Sequence, residues 1–113
     1  MYLICYISAV ATCSLRITRR YDAPPEEVWA SVRDLDRWLA PPPGVTVASE
    51  QAARLLELDW RPEGEPASVV RLELRRDGAR TLLVLEHEQV EATRGMRFLR
   101  AWTNAVDRFE AAR

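Results

Sequence analysis

Leu15–Pro43, LRITRRYDAPPEEVWASVRDLDRWLAPPP, is the stretch whose reading decides the fold. Leu15, Ile17, Arg19 and Tyr21 alternate with Arg16, Thr18 and Arg20, the period-two pattern of a half-buried strand. Asp22-Ala23-Pro24-Pro25 ends it, because a proline pair cannot continue a ladder but suits the first turn of a helix. Glu26 and Glu27 fall in that turn, where the helix dipole favours negative charge. Val28, Val32, Leu35 and Leu39 follow at helical spacing beside Trp29, and Asp34 is placed to cap a second short helix carrying Trp38. Pro41-Pro42-Pro43-Gly44 stops that helix.

Downstream the period returns to two. Val45–Ser49 is a short, weak strand candidate, and Arg54–Trp60 is a better one, with Leu56, Leu58 and Trp60 on one face. Arg61–Pro66 is a turn by composition. Ser68–Arg76 and Ala79–Val90 flank Asp77-Gly78, a two-residue hairpin signal of the type I′ kind. That turn sets Arg76 opposite Ala79 and predicts the pairs Leu74–Thr81, Leu72–Leu83, Val70–Leu85 and Ser68–His87 on the inward, more apolar face. After Gly95 comes a long closing helix, with Phe98, Trp102, Ala105 and Phe109 in one stripe widened by Leu99 and Val106. Strand, two helices, antiparallel strands and a long amphipathic helix make an α+β domain whose last helix lies across one sheet face.

At 113 residues the chain has room for one such domain. A formal net charge of −1 argues against a general nucleic-acid binder. All sixteen basic residues are arginine, but they are scattered among acids, as in Arg71, Glu73 and Arg75, which reads as a solvated face. Met1–Ser14 differs from the rest in carrying no charge, proline or glycine, and it lacks the basic start of a secretory signal. It is read as an N-terminal extension that lengthens the first strand, covers a hydrophobic face, is disordered or lies outside the natural protein, with lipoprotein-type cleavage before Cys13 a lesser alternative. The domain proper is read at residues 15–113. No run of about 18 apolar residues offers a membrane span, and a cytoplasmic location is expected. Cys5 and Cys13 form no CxxC pair and no Cys/His cluster, so no metal or other cofactor is expected.

Three segments together carry a family resemblance: ITRRYDAPPEEVWASVRDLDRWLAPP (17–42), DGARTLLVLEHEQV (77–90) and FLRAWTNAVDRFEAA (98–112). In order and spacing they resemble the START-like (SRPBCC) superfamily, especially the bacterial relatives of the heat-shock-protein ATPase activators. The resemblance implies a helix-grip fold, a curved antiparallel sheet wrapped around the long C-terminal helix with an apolar cavity between them. Known members bind lipids, sterols, polyketides or plant metabolites; some are cyclases or hydrolases, and others are co-chaperones, so the fold does not settle function. Relatives carry a longer segment between the tryptophan helix and the strand ending at Trp60, which implies that one or two sheet strands are missing here.

His87 is the single histidine and lies on the inward face of the hairpin. A lone imidazole acts as an acid–base group, holds a ligand, or, most often, is a satisfied interior residue. Glu57, Asp59 and Glu86 fall in the outward phase, leaving Ser68, Thr81 and Gln89 as the polar residues beside it, and no catalytic residue is assigned. Pockets are built from large apolar and aromatic side chains. The candidate ligand-binding residues are therefore Trp38, Trp60, Leu72, Leu85, His87 and Trp102. The leading expectation is non-catalytic binding of a small apolar or amphipathic molecule. A protein-interaction or homodimerising module and a cyclase- or hydrolase-type enzyme using His87 are the alternatives.

Overall fold

The expected alternation becomes a single antiparallel sheet, described in a computed structural model for residues 2–6, 12–91 and 94–112. The elements run β1 (Tyr2–Tyr6), β2 (Thr12–Tyr21), α1 (Pro25–Val32), α2 (Leu35–Trp38), β3 (Val45–Gln51), β4 (Leu55–Trp60), β5 (Ser68–Asp77), β6 (Arg80–Glu91) and α3 (Gly95–Ala112). The six strands lie in the order β1-β2-β6-β5-β4-β3, so the first long strand pairs with the last. One strand, β3, fills the short segment between α2 and β4.

The inward phase is mostly apolar on the long strands. Leu15, Ile17 and Tyr21 of β2, Leu56, Leu58 and Trp60 of β4, Val70, Leu72 and Leu74 of β5, and Leu83 and Leu85 of β6 are all buried. α3 covers this face with Trp102, Ala105, Val106 and Phe109, joined by Val28, Trp29, Val32 and Trp38 from α1 and α2. The outward face carries ion pairs such as Arg71–Glu57 (3.6 Å) and Arg75–Glu73 (2.9 Å), as expected of a solvated surface. Such exposed pairs are each worth about 0–1 kcal/mol.

The β5–β6 register corrects the sequence expectation by two residues. Asp77 pairs with Arg80, Leu74 with Leu83, Leu72 with Leu85 and Val70 with His87. The two-residue loop is Gly78-Ala79, with positive φ at Gly78 (63°) and not at Ala79. Glycine at the first central position is the pattern of a type II′ turn, whereas type I′ would have placed it second. Because side chains alternate with period two, a two-residue shift exchanges partners without exchanging faces. His87 therefore still points inward.

Gln89 departs from that phase. It is exposed, with φ of 62°, and Val90 beside it is buried. The β2–β6 register jumps here, from Leu15 opposite His87 to Cys13 opposite Val90. This is a β-bulge, in which one extra residue on β6 turns the following side chain to the other face. The inward placement expected for Gln89 is thus corrected: a strictly alternating reading cannot anticipate an inserted residue.

The segment read as an extension is divided. Tyr2–Tyr6 forms β1, residues 7–11 lie outside the described part, and β2 begins at Thr12 rather than Leu15. Cys13 is 1% exposed and belongs to the core. Trimming residues 1–11 and trimming residues 1–14 are therefore expected to differ. The shorter trim leaves Cys13 in place, and the longer one should cost about 1–2 kcal/mol more for the lost burial, measured by urea unfolding. Equal stabilities would show that β2 effectively starts at Leu15.

Pro41–Gly44 lies in the loop that joins α2 to β3. Gly44 has φ of 95°, and its carbonyl accepts a 3.0 Å hydrogen bond from the Arg61 N–H. A Cβ at this position would lie 2.3 Å from the Arg61 carbonyl oxygen. Gly78, by contrast, has open space around it, so only its φ resists substitution. Gly44→Ala is expected to cost about 2–4 kcal/mol from strain plus clash. Gly78→Ala should cost about 1–2 kcal/mol from conformation alone. Unfolding midpoints of the two variants check the ranking, and the reverse order would contradict this account of the loop.

Candidate functional site: an aromatic cluster and the cleft beside the closing helix

Four rings meet where β4, β6 and α3 converge. Trp60 lies with ring centroids 5.3 Å from Trp102, 5.6 Å from His87 and 6.4 Å from Phe98. His87 meets Phe98 edge-on at 4.7 Å. Strand alternation delivers Trp60 and His87 to this point, and helical spacing of four delivers Phe98 and Trp102. Edge-to-face aromatic pairs add about 0.5–1.5 kcal/mol each beyond the area they bury.

His87 is fully buried and uses both ring nitrogens. The Trp102 indole N–H donates to His87 Nδ1 at 2.9 Å, and Nε2 lies 2.7 Å from Ser68 Oγ. An indole nitrogen only donates, so Nδ1 is the acceptor and carries no proton. The neutral ring therefore holds its proton on Nε2 and donates it to the Ser68 hydroxyl. This is the reverse of a serine-hydrolase arrangement, in which Nδ1–H donates to a carboxylate and Nε2 takes the proton of the serine. Burial lowers the His87 pKa from 6.5 to about 4, and protonation would also turn an N–H against the indole N–H. Among the described residues no group of His, Cys, Asp and Glu is arranged to hold a metal ion.

The candidate ligand residues separate into two sets. Trp60 and Trp102 line a cleft of 180 Å³ between α3 and the α2–β3 loop, together with Leu39, Pro42, Phe98, Ala101, Ala105 and Arg108. Trp38 does not line it. Its Nε1 donates to the Val32 carbonyl at 3.0 Å, and its ring meets Phe109 at 5.5 Å. Leu72 and Leu85 stand opposite each other on β5 and β6, fully buried in the core. His87 sits behind the two cleft tryptophans. Trp60 is 7% exposed, and its Nε1 has no hydrogen-bond partner among the described residues.

Sequence reasoning passed over Leu39, Pro42, Phe98, Ala101, Ala105 and Arg108 as site residues. The usable signal lay in α3: small residues at 101 and 105, four apart, leave a hollow in a stripe that is otherwise bulky. The loop residues Leu39 and Pro42 carried no comparable signal, because which loop faces the hollow is set by tertiary packing.

His87 makes stability depend on pH. The unfolded imidazole titrates near 6.5 and the folded one at about 4, so between these values the unfolded chain binds more protons. Its contribution is complete above pH 6.5 and is lost as the pH falls toward 4. The full difference is about 3 kcal/mol. Urea unfolding at pH 7, 5.5 and 4 should show this loss in the wild type. In His87→Gln the carboxylate contributions should remain and this component should be absent. An identical pH profile in the two proteins would mean that His87 is not held neutral.

No protein-family profile matches the sequence, and none of the curated proteins does. Solved structures do. CalU16 from Micromonospora echinospora is 29% identical, with a TM-score of 0.80 over 97% of this chain and 82% of its own. MLL2253 from Mesorhizobium loti is 16% identical, with a TM-score of 0.73 over 87% of this chain and 94% of its own. DynU16, described as a protein in the dynemicin biosynthetic locus, is 19% identical, with a TM-score of 0.71 over 85% of this chain and 45% of its own. The chain therefore has the α+β helix-grip architecture of these proteins, an antiparallel sheet closed on a long C-terminal helix.

Proposed function

We propose that this chain is a START-like domain that binds a small apolar or amphipathic molecule without converting it. The carrying observation is the cleft floored by Trp60, Phe98 and Trp102 beside the closing helix. Its 180 Å³ is below the roughly 300–1,000 Å³ of drug-sized pockets and just above the ~150 Å³ that a benzene ring fills. The fitting ligand is one ring or its aliphatic equivalent with a short substituent. DynU16's place in a biosynthetic locus is in keeping with a domain that handles small molecules.

The non-catalytic part of the reading is supported by His87, whose two nitrogens are both engaged and which lies behind the cleft floor rather than on it. A kinship with the heat-shock-protein ATPase activators would favour a protein-docking role, alone or as a homodimer. The exposed large apolar side chains among the described residues are Val47 on β3 and Met96 on α3, one from each of two elements. Interaction patches ordinarily need several hundred Å² of contiguous apolar surface, so the small-molecule reading is preferred. A bacterial, cytoplasmic setting completes the proposal.

Ala101 is exposed and lines the cleft, so a large side chain there fills the space without disturbing the core. Native mass spectrometry of protein purified from its own host should show a bound small molecule on the wild type. Ala101→Trp should lose that mass while keeping its melting temperature within a few degrees. A ligand retained by Ala101→Trp would place binding elsewhere. Turnover of a thioester, lactone or polyketide that vanishes in His87→Gln would replace the binder with an enzyme.

A further inference from the structure

We propose that the cleft selects anionic ligands, aryl or alkyl acids with the carboxylate a few bonds from the apolar end, and that Arg108 recognises the charge. This rests on the cleft being the binding site. The apolar end is set by Trp60, Phe98 and Trp102, and Leu39, Pro42, Ala101 and Ala105 complete the walls. The side-chain polar groups of these walls are the two indole N–H donors, that of Trp102 given to His87 and that of Trp60 buried. The charge is set by Arg108, the one ionisable residue among the described residues that line the cleft. Arg108 lies six residues beyond Trp102 on α3, a separation of about 9 Å along the helix axis. Side chains on a helix lean toward its N-terminus, which brings the guanidinium back over the turn that holds Ala105.

The charge of Arg108 is not spent within the protein. It forms no ion pair or hydrogen bond among the described residues, whereas the neighbouring Asp107 is paired with Arg19 at 3.2 Å. Many other arginines of the chain are so occupied, including Arg20 with Asp77 and Arg76 with Glu26. A guanidinium at the rim of an apolar cleft matches a carboxylate with two parallel hydrogen bonds. An unpaired cation of this kind on an open surface would be merely solvated; beside an aromatic floor it sets a preference between an acid and its neutral analogue.

3-Phenylpropionate and 3-phenylpropionamide have the same ring and chain and differ in charge, so they isolate the term. Isothermal titration calorimetry on the full chain should give about tenfold tighter binding of the acid, the scale of one charge-assisted hydrogen-bonded contact at a partly exposed site. Arg108→Gln, at an exposed position, should bring the two within about twofold by weakening the acid alone. Ala101→Trp should abolish both. Equal affinities in the wild type, or a preference for the acid that survives in Arg108→Gln, would overturn the charge assignment and leave the cleft as a neutral apolar site. Binding of both probes that persists in Ala101→Trp would overturn the cleft itself.

Discussion

The hydrogen bond from the Trp102 indole to His87 Nδ1 joins the centre of the closing helix to the centre of the sheet. Apolar packing alone fixes α3 only approximately, since it is non-directional. A buried 2.9 Å bond between two rigid rings fixes depth and rotation together. With Trp102 placed, Ala105, Val106 and Phe109 fall on the sheet, and the exposed Ala101 and Arg108 fall along the edge of the grip. The same bond requires Ser68 to accept from the far side of the ring, because a buried imidazole with one nitrogen unpaired would be costly. Helix position, tautomer and charge state are one constraint.

That constraint also shapes the space beside the closing helix. The space between sheet and helix, where the fold would hold a deep cavity, is taken by the protein's own rings: Trp60, His87, Phe98 and Trp102. A hollow lies at the side, beside Leu39 and Pro42, where α3 presents alanine instead of bulk. Both His87 ring nitrogens are taken by hydrogen bonds within the protein. Its environment is opposite to that of a general base, which needs a free nitrogen facing the substrate and a pKa near the working pH.

Much of the architecture was legible in sequence because strand and helix periods are local. Leu15–Tyr21, the Ala-Pro-Pro step and the Phe98–Phe109 stripe located the elements that matter, and the alternation in β5 and β6 turned His87 inward despite a register two residues out. What failed were features in which one residue's backbone breaks the period. The α-left conformation of Gln89 creates a bulge, and the position of Gly78 within its turn chooses between two hairpins. The candidate site was half legible. Trp60 and Trp102, chosen as large inward side chains, line the cleft, whereas Trp38, Leu72 and Leu85, chosen by the same rule, lie in the core. A pocket is defined by what is missing, and the small residues Ala101 and Ala105 are a fainter signal than tryptophan.

The most direct measurement is the nitrogen-15 chemical shift of the His87 ring as a function of pH. The expected result is a neutral ring protonated at Nε2, an unprotonated Nδ1 shifted by the Trp102 hydrogen bond, and no titration until the pH approaches about 4. A ring that carries its proton on Nδ1, or one that titrates near 6.5, would contradict it, because His87 would then have a nitrogen free for chemistry and α3 would lack its central tie.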